Sequence, residues 1–164
     1  MVVGLPVALW LNRLSQRSAD ASRHDQEQEQ LRHGLISVMD ALAHNQKQLE
    51  RLVSTLESNQ AMFDVGLDVA AWEAARDQIV PVLRNPELQR RIAFHFSRLG
   101  TLTRLCSMYL DLVAGIGATV SGVEKTREAL KNHLVAISNK LLSEAETMHG
   151  EVKNLAPGNA RPAV

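Results

Sequence analysis

The sequence predicts an all-α fold: an antiparallel bundle of three long helices and one short helix, with an extended N-terminal helical stalk. Proline stands only at positions 6, 81, 86, 157 and 162, so residues 7–80 and 87–156 contain no helix-breaking ring. Aromatic residues make up 4% of the 164-residue chain and glycine occurs nine times, a poor composition for a β-sandwich or barrel. Apolar residues also recur at alternating steps of three and four, the spacing of a buried helix face.

The first long helix is predicted from an apolar seam that begins at position 31. Its members follow at steps of 4, 3, 4, 3, 4, 3 and 4 residues: Leu31, Leu35, Val38, Leu42, Asn45, Leu49, Leu52 and Leu56. Such a seam must face other helices, because an isolated amphipathic helix is marginal in water. Residues 13–30 before it carry mixed charge and glutamine and have no face to bury, which indicates a solvated helical stalk or a fraying linker.

A short helix is predicted next, between a cap and a proline. Asp68 is a plausible N-cap for a helix that starts at Val69 and presents Trp72 and Ile79 on one face. Pro81 disfavours a helical conformation at the residue before it, so this element should end there.

The second long helix has a strong start signal at residues 85–87. Asn85 can cap the helix, Pro86 suits its first position, and Glu87 complements the helix dipole. The expected seam is Leu88, Ile92, His95, Leu99, Leu102, Cys106, Tyr109, Val113 and Ile116. Five further residues are expected to widen the apolar face: Phe94, Phe96, Leu105, Leu110 and Leu112.

The last helix is predicted after a glycine-rich connection that holds Gly115, Gly117 and Gly122. Residues 121–124, Ser-Gly-Val-Glu, fit a capping box. The apolar positions that follow are Val123, Leu130, Leu134, Ile137, Leu141, Met148, Val152 and Leu155, with Leu142 and Ala145 on the flank. Residues 157–158, Pro-Gly, should stop the helix ahead of a disordered tail over 157–164.

Residues 1–12 differ in character from the rest and predict an attachment to a membrane. Eleven apolar residues reach about 16 Å as a helix, roughly half of a hydrocarbon core. We therefore expect either the C-terminal half of a span or a short interfacial anchor, the alternative being an apolar end packed on the bundle or a partner chain. The residues concerned are Leu5, Val7, Leu9, Trp10, Leu11, Arg13 and Arg17. If the apolar end is a span, the arginines behind it place the bundle, expected over 31–156, on the cytoplasmic side.

The sequence indicates no catalytic, cofactor or metal site. Glu146 and His149 have the spacing of a di-iron motif, but no second such pair occurs. Asp40 and His44 lie one turn apart and are expected to form a surface pair. Cys106 falls in an apolar seam and is expected to be a core residue. With 18 basic and 18 acidic residues the net charge is zero, which argues against nucleic acid as a partner.

Two polar residues, Asn45 and His95, occupy seam positions where leucine would otherwise stand. A buried polar group costs stability unless it finds a partner, and a buried asparagine can specify helix register. We predict that both residues are specificity elements of the core that face each other across two helices. The alternative is that either side chain reaches the edge of the bundle.

Two segments resemble those of small bacterial membrane-anchored helical proteins of uncharacterised function. They are LISVMDALAHNQKQLERL at 35–52 and AWEAARDQIVPVLRNPELQRRIAFHFSRL at 71–99, within a similarity of pattern over about residues 5–115. The resemblance implies an N-terminal anchor and a helical domain beyond it, without known catalytic residues.

These observations favour a non-enzymatic, membrane-tethered helical bundle that acts as a protein-interaction or scaffold module. Its helix faces would bind another protein or a second copy of the chain. Two alternatives are a ligand-sensing helical bundle and a metal-binding helical bundle that uses the histidines.

Overall fold

The computed structural model describes residues 4–58, 65–115 and 123–155, with side chains from residue 15 onward. It contains four helices, α1 (Gly4–Glu57), α2 (Ala71–Ile79), α3 (Pro86–Val113) and α4 (Val123–Leu155), and no strand within these described residues. The predicted all-α class, with three long helices and one short helix, is therefore confirmed.

α1 is continuous over 54 residues, about 81 Å at the usual helical rise. Every residue predicted for its seam between Leu31 and Leu56 is buried. Residues 15–27, which precede the seam, are helical and exposed throughout. The helix crosses positions 30–31 without a break.

α2 starts at Ala71 rather than at Val69 as predicted. The Asp68 carboxylate accepts hydrogen bonds from the backbone N–H groups of Ala70 at 3.2 Å and Ala71 at 3.1 Å. It therefore serves the first turn from just outside the helix and does not occupy the N-cap itself. The predicted end before Pro81 is confirmed, because α2 stops at Ile79.

α3 begins as predicted, with the Asn85 side chain accepting a hydrogen bond from the Leu88 N–H at 3.0 Å. The predicted seam is buried from Leu88 to Cys106, but Val113 is 49% exposed. The prediction that Phe94 widens the buried face is wrong, since this side chain is 62% exposed whereas Phe96 is buried. The two phenylalanines lie on opposite flanks of the seam, and of the two only Phe96 is covered.

The buried face of α4 consists of Leu134, Ser138, Leu141, Ala145, Met148 and Val152. Ile137, which was predicted for this face, is only half-buried, and Ser138 next to it is buried instead. Several predicted features lie outside the described residues: the serine and glycine of the capping box at 121–122, Ile116, and the tail at 157–164.

The core forms where α4 packs against both α1 and α3, while α2 packs on α1 and touches α3. One position in α1 allows α2 to come close. A Cβ atom placed on Gly34 would lie 2.7 Å from Cγ1 of Ile79, which is fully buried. Glycine is thus required here by the close approach of the two helices. No helix in the described part of the chain is long and apolar enough to cross a membrane.

Candidate functional site

Asn45, one of the two predicted core polar residues, attaches the segment before α2 to α1. Its side-chain nitrogen donates to the Asp68 carbonyl at 2.8 Å, and its side-chain oxygen accepts from the Asp68 N–H at 2.7 Å. Both ends of the amide are therefore satisfied, which explains how a polar side chain can be fully buried in an apolar seam.

The neighbouring His44 supports the same segment. Its Nε2 lies 2.9 Å from the Gly66 carbonyl oxygen, so this ring nitrogen donates to the backbone 22 residues further along. The predicted surface pair with Asp40 is thus replaced by a longer-range contact. Gly66 has a φ of +57°, a left-handed conformation that favours glycine, and this turns the segment toward α1.

A second group of polar residues lies across α3 and α4. Arg91 donates through Nη1 to both carboxylate oxygens of Glu151, each at 2.9 Å. Arg98 donates to the carboxylate of Glu144. The two arginines are seven residues apart on α3 and the two glutamates are seven apart on α4. The pairs therefore repeat after two turns of each helix.

Between these pairs lies a small cleft of about 150 Å³, lined by Arg91, Phe94, Glu144 and Met148. Phe94 stands at its edge, and the Arg98 guanidinium lies 5.7 Å from the centroid of the phenyl ring, within the range of a cation–π interaction. We call the surface formed by Arg91, Phe94, Arg98, Glu144, Met148 and Glu151 the α3–α4 face. It places an exposed aromatic ring, a small cleft and paired charges next to one another.

His95 lies behind this face and is 1% exposed. Neither imidazole nitrogen has a hydrogen-bond partner among the described residues. Nδ1 is 3.7 Å from a carboxylate oxygen of Glu144, too long for a hydrogen bond but within reach of an ion pair. Burial lowers the pKa of His95; the Glu144 carboxylate opposes this shift and the Arg98 charge adds to it. The imidazole is therefore held neutral at pH 7.

The predicted pairing of Asn45 with His95 is wrong. The side-chain amide of Asn45 donates to and accepts from the Asp68 backbone. His95 faces Glu144 on α4 instead. The physical reason is that a loop backbone offers an asparagine a donor and an acceptor side by side, which a single imidazole cannot do.

Replacing His95 by leucine should reduce the loss of stability in acid. Since the pKa of folded His95 lies below its ordinary value of 6.5, the unfolded chain binds the proton first as pH falls. The contribution of neutral His95 is thus complete above pH 6.5 and is lost below it. Between pH 7.5 and 5.5 the unfolding free energy of the wild type should fall more than that of His95→Leu, by at most about 1.4 kcal/mol per pH unit.

Urea titrations followed by circular dichroism at both pH values measure this difference. His133→Leu, at an exposed histidine of α4, is the matched control and should keep the wild-type pH dependence. An equal fall in unfolding free energy for His95→Leu and the wild type would contradict the lowered pKa of His95.

Two further buried residues complete the interior around the site. Ser138, which the sequence did not mark as a core residue, is fully buried, and its hydroxyl has no partner among the described residues. Its place between Leu134 and Leu141 at helical spacing is the signal that could have found it. Cys106 is buried as predicted, and burial raises the pKa of its thiol to about 11. The thiol is therefore protonated at neutral pH.

Of the predicted anchor residues, those from Leu5 to Arg13 lie where no side chains are described, and Arg17 is exposed on α1. In the described part of the chain no three His, Cys, Asp or Glu side chains are grouped so that they could hold a metal ion. Glu146 is exposed and His149 half-buried.

Comparisons with protein-family models, with curated proteins and with solved structures found no match for this chain. The resemblance to small membrane-anchored helical proteins therefore stays a prediction from the sequence pattern.

Proposed function

We propose that this chain is a non-enzymatic, membrane-tethered helical bundle that binds a protein through its α3–α4 face. The observation that carries the proposal is Phe94, 62% exposed at the edge of a small cleft and flanked by Arg91 and Arg98. Aromatic residues and arginine are the types most enriched at the centres of protein interfaces. An aromatic ring on a folded helix that has a fully buried core elsewhere is not needed for folding, which favours a role in binding.

The proposed bundle is antiparallel. Between α3 and α4, the contacts Arg91–Glu151 and Arg98–Glu144 occur in opposite order along the two helices. On α1 and α2 the closeness of Gly34 to Ile79, together with the Asn45–Asp68 hydrogen bonds, has the same reversed order. Both sets of contacts support antiparallel neighbours.

The proposed stalk is the part of α1 that precedes the seam. The exposure of residues 15–27 along a continuous helix supports it, because nothing in the described structure packs against them. A helix of 13 residues spans about 20 Å. The stalk would hold the bundle at that distance from whatever binds the apolar end of α1.

The proposed tether is that apolar end. Its sequence places Trp10 next to Leu9 and Leu11 and then Arg13 and Arg17, the order of side chains expected at the border between acyl chains and headgroups. The bundle would then lie on the cytoplasmic side of the membrane. The apolar end would attach in one of the two ways predicted from the sequence, either as part of a membrane span or as an anchor along the membrane interface.

Photo-crosslinking in cells tests the interaction. A benzophenone amino acid replaces Ser97, which is exposed one turn after Phe94 on α3, and, in a second variant, Asn139, which is exposed on α4. We expect a discrete protein adduct from position 97 and none from position 139. No adduct at position 97, or equal adducts at both positions, would overturn the proposal.

Membrane fractionation tests the tether separately. The full chain should be found in the membrane pellet, and deletion of residues 1–11 should release it into the supernatant. Deletion of residues 157–164 removes a segment of similar size from the other end and should leave the chain in the pellet. A full chain found in the supernatant would contradict the tether.

A further inference from the structure

We infer that the partner of the α3–α4 face is a second copy of this chain, with Phe94 of each copy inserted into the cleft of the other. The inference rests on the proposed function and names its partner. Four observations support it: the position of the Phe94 ring beside the cleft, the volume of the cleft, the contact between Phe94 and Arg98, and the equal numbers of positive and negative charges on the face.

The ring and the cleft lie side by side on one surface. Phe94 forms one edge of the cleft, whose other lining residues are Arg91, Glu144 and Met148. In a symmetric dimer the same patch of both copies must be complementary to itself. A two-fold axis that passes between a projecting ring and an adjacent cleft brings each ring over the opposite cleft. The α3–α4 face has this arrangement.

The sizes agree. The cleft holds about 150 Å³. An apolar cavity of about this volume in another protein is known to accept benzene, which is the ring of a phenylalanine side chain. In the dimer, the incoming ring would also meet the resident Phe94, since this residue lines the cleft it enters. A pair of aromatic rings is more favourable than the buried area alone accounts for.

The ring already has a contact within the single copy. The Arg98 guanidinium lies 5.7 Å from its centroid, and Arg98 is itself bound to the Glu144 carboxylate. Because a side chain that is held before binding loses less conformational entropy on docking, this contact favours insertion of Phe94. The Arg98–Glu144 pair thus connects the projecting ring to the wall of the cleft that receives the partner's ring.

The charges on the face favour a like partner. It carries two arginines and two glutamates, and each arginine is paired with a glutamate of the same copy. The whole chain has no net charge at pH 7. A second copy therefore meets no net repulsion, whereas a strongly acidic or basic partner would find no free charge on the face to complement.

The test uses the full chain in cells, expressed as two versions that carry different epitope tags, with the benzophenone probe at Ser97. The expected adduct contains both tags and runs at twice the 18.1 kDa mass of the chain. Phe94→Ala should reduce this adduct at least about tenfold, since a central aromatic anchor commonly contributes more than the factor of ten that corresponds to 1.4 kcal/mol. Ile36→Ala removes a 41% exposed apolar side chain from α1 and should leave the adduct unchanged.

Two further measurements keep the outcomes separate. The far-UV circular dichroism spectrum of Phe94→Ala in the absence of urea should equal that of the wild type, because the ring is mostly exposed and contributes little to the core, so loss of the adduct cannot be ascribed to unfolding. The probe at Asn139 reports copies that are merely close together on a membrane. An adduct with a different protein would overturn the second copy as partner and leave the proposed function intact. Absence of any adduct at position 97 would overturn both.

Discussion

Replacing Asn45 by alanine should lower the free energy of unfolding by about 2–4 kcal/mol, because the substitution leaves the N–H and the carbonyl of Asp68 without their partners. Both hydrogen bonds are short, at 2.7 and 2.8 Å, and the side chain that makes them is fully buried. The segment from Val65 to Ala70 would lose these two hydrogen bonds to α1 and keep the one between His44 and Gly66. The Asp68 carboxylate, which serves the first turn of α2, would be held less firmly in place. Urea unfolding followed by circular dichroism measures the change.

Two further variants test whether the lost hydrogen bonds to Asp68 are the cause of the lower stability. Asn45→Asp keeps the acceptor for the Asp68 N–H but removes the donor and introduces a carboxylate beside the Asp68 carbonyl, so it should cost as much as alanine or more. Lys47→Ala, at an exposed position two residues further along α1, should change the unfolding free energy by less than about 0.5 kcal/mol. An Asn45→Ala chain as stable as Lys47→Ala would show that the two hydrogen bonds contribute nothing.

The second large effect is expected at Gly34. Gly34→Val should lower the unfolding free energy by about 2–3 kcal/mol, because its Cβ would meet Cγ1 of Ile79 at 2.7 Å, and overpacking of a tight contact typically costs about 1–3 kcal/mol. The branched side chain cannot rotate away from this contact, and Ile79 is fully buried. α2 would therefore be forced away from α1.

A double-mutant cycle with Ile79→Ala isolates the contact. Ile79→Ala alone should cost about 2–5 kcal/mol, but in its presence Gly34→Ala should stabilise the chain by up to about 1 kcal/mol, the helix propensity gained. Gly100→Ala in α3 is the matched control: nothing lies within 4 Å of the Cβ that it adds, so it should stabilise the wild type by a similar amount. Additive effects of the Gly34 and Ile79 substitutions would contradict the close approach.

Tryptophan fluorescence gives an independent readout of where α2 lies. Trp72 on α2 is 4% exposed in the native chain. With Trp10 replaced by phenylalanine, Trp72 is the remaining tryptophan of the two in the sequence. Its emission should shift to longer wavelength in Gly34→Val, because displacement of α2 exposes the indole to water, and should stay unchanged in Gly100→Ala.

The elements of the fold were largely predictable because each rests on a local signal. The steps of three and four residues that place Leu35, Leu42 and Leu49 on one face depend only on the geometry of the helix. The cap at Asn85 and the stop before Pro81 are likewise properties of a few adjacent residues. Such signals act within one or two turns of the chain, and the structure confirms them at these positions.

The candidate site was less predictable because it depends on contacts between helices. Phe94 and Phe96 look equivalent in the sequence, one on each flank of the same seam, and only the packing of neighbouring helices decides which is covered. The need for glycine at position 34 appears only once Ile79 is seen against it. The pairs of Arg91 with Glu151 and of Arg98 with Glu144 join positions 60 and 46 residues apart.

By itself, the sequence determined that the chain is helical, where α2, α3 and α4 begin and end to within a few residues, and which face of α1 is buried. Hydrogen bonding within a helix and the periodicity of an apolar face are local properties, which the spacing of the residues expresses within one or two turns. Tertiary structure decided that Asn45 binds the Asp68 backbone, that His95 stays neutral behind Glu144, and that Phe94 is left at the surface. These outcomes depend on which atoms of distant segments come together, and the same local pattern is compatible with several such arrangements.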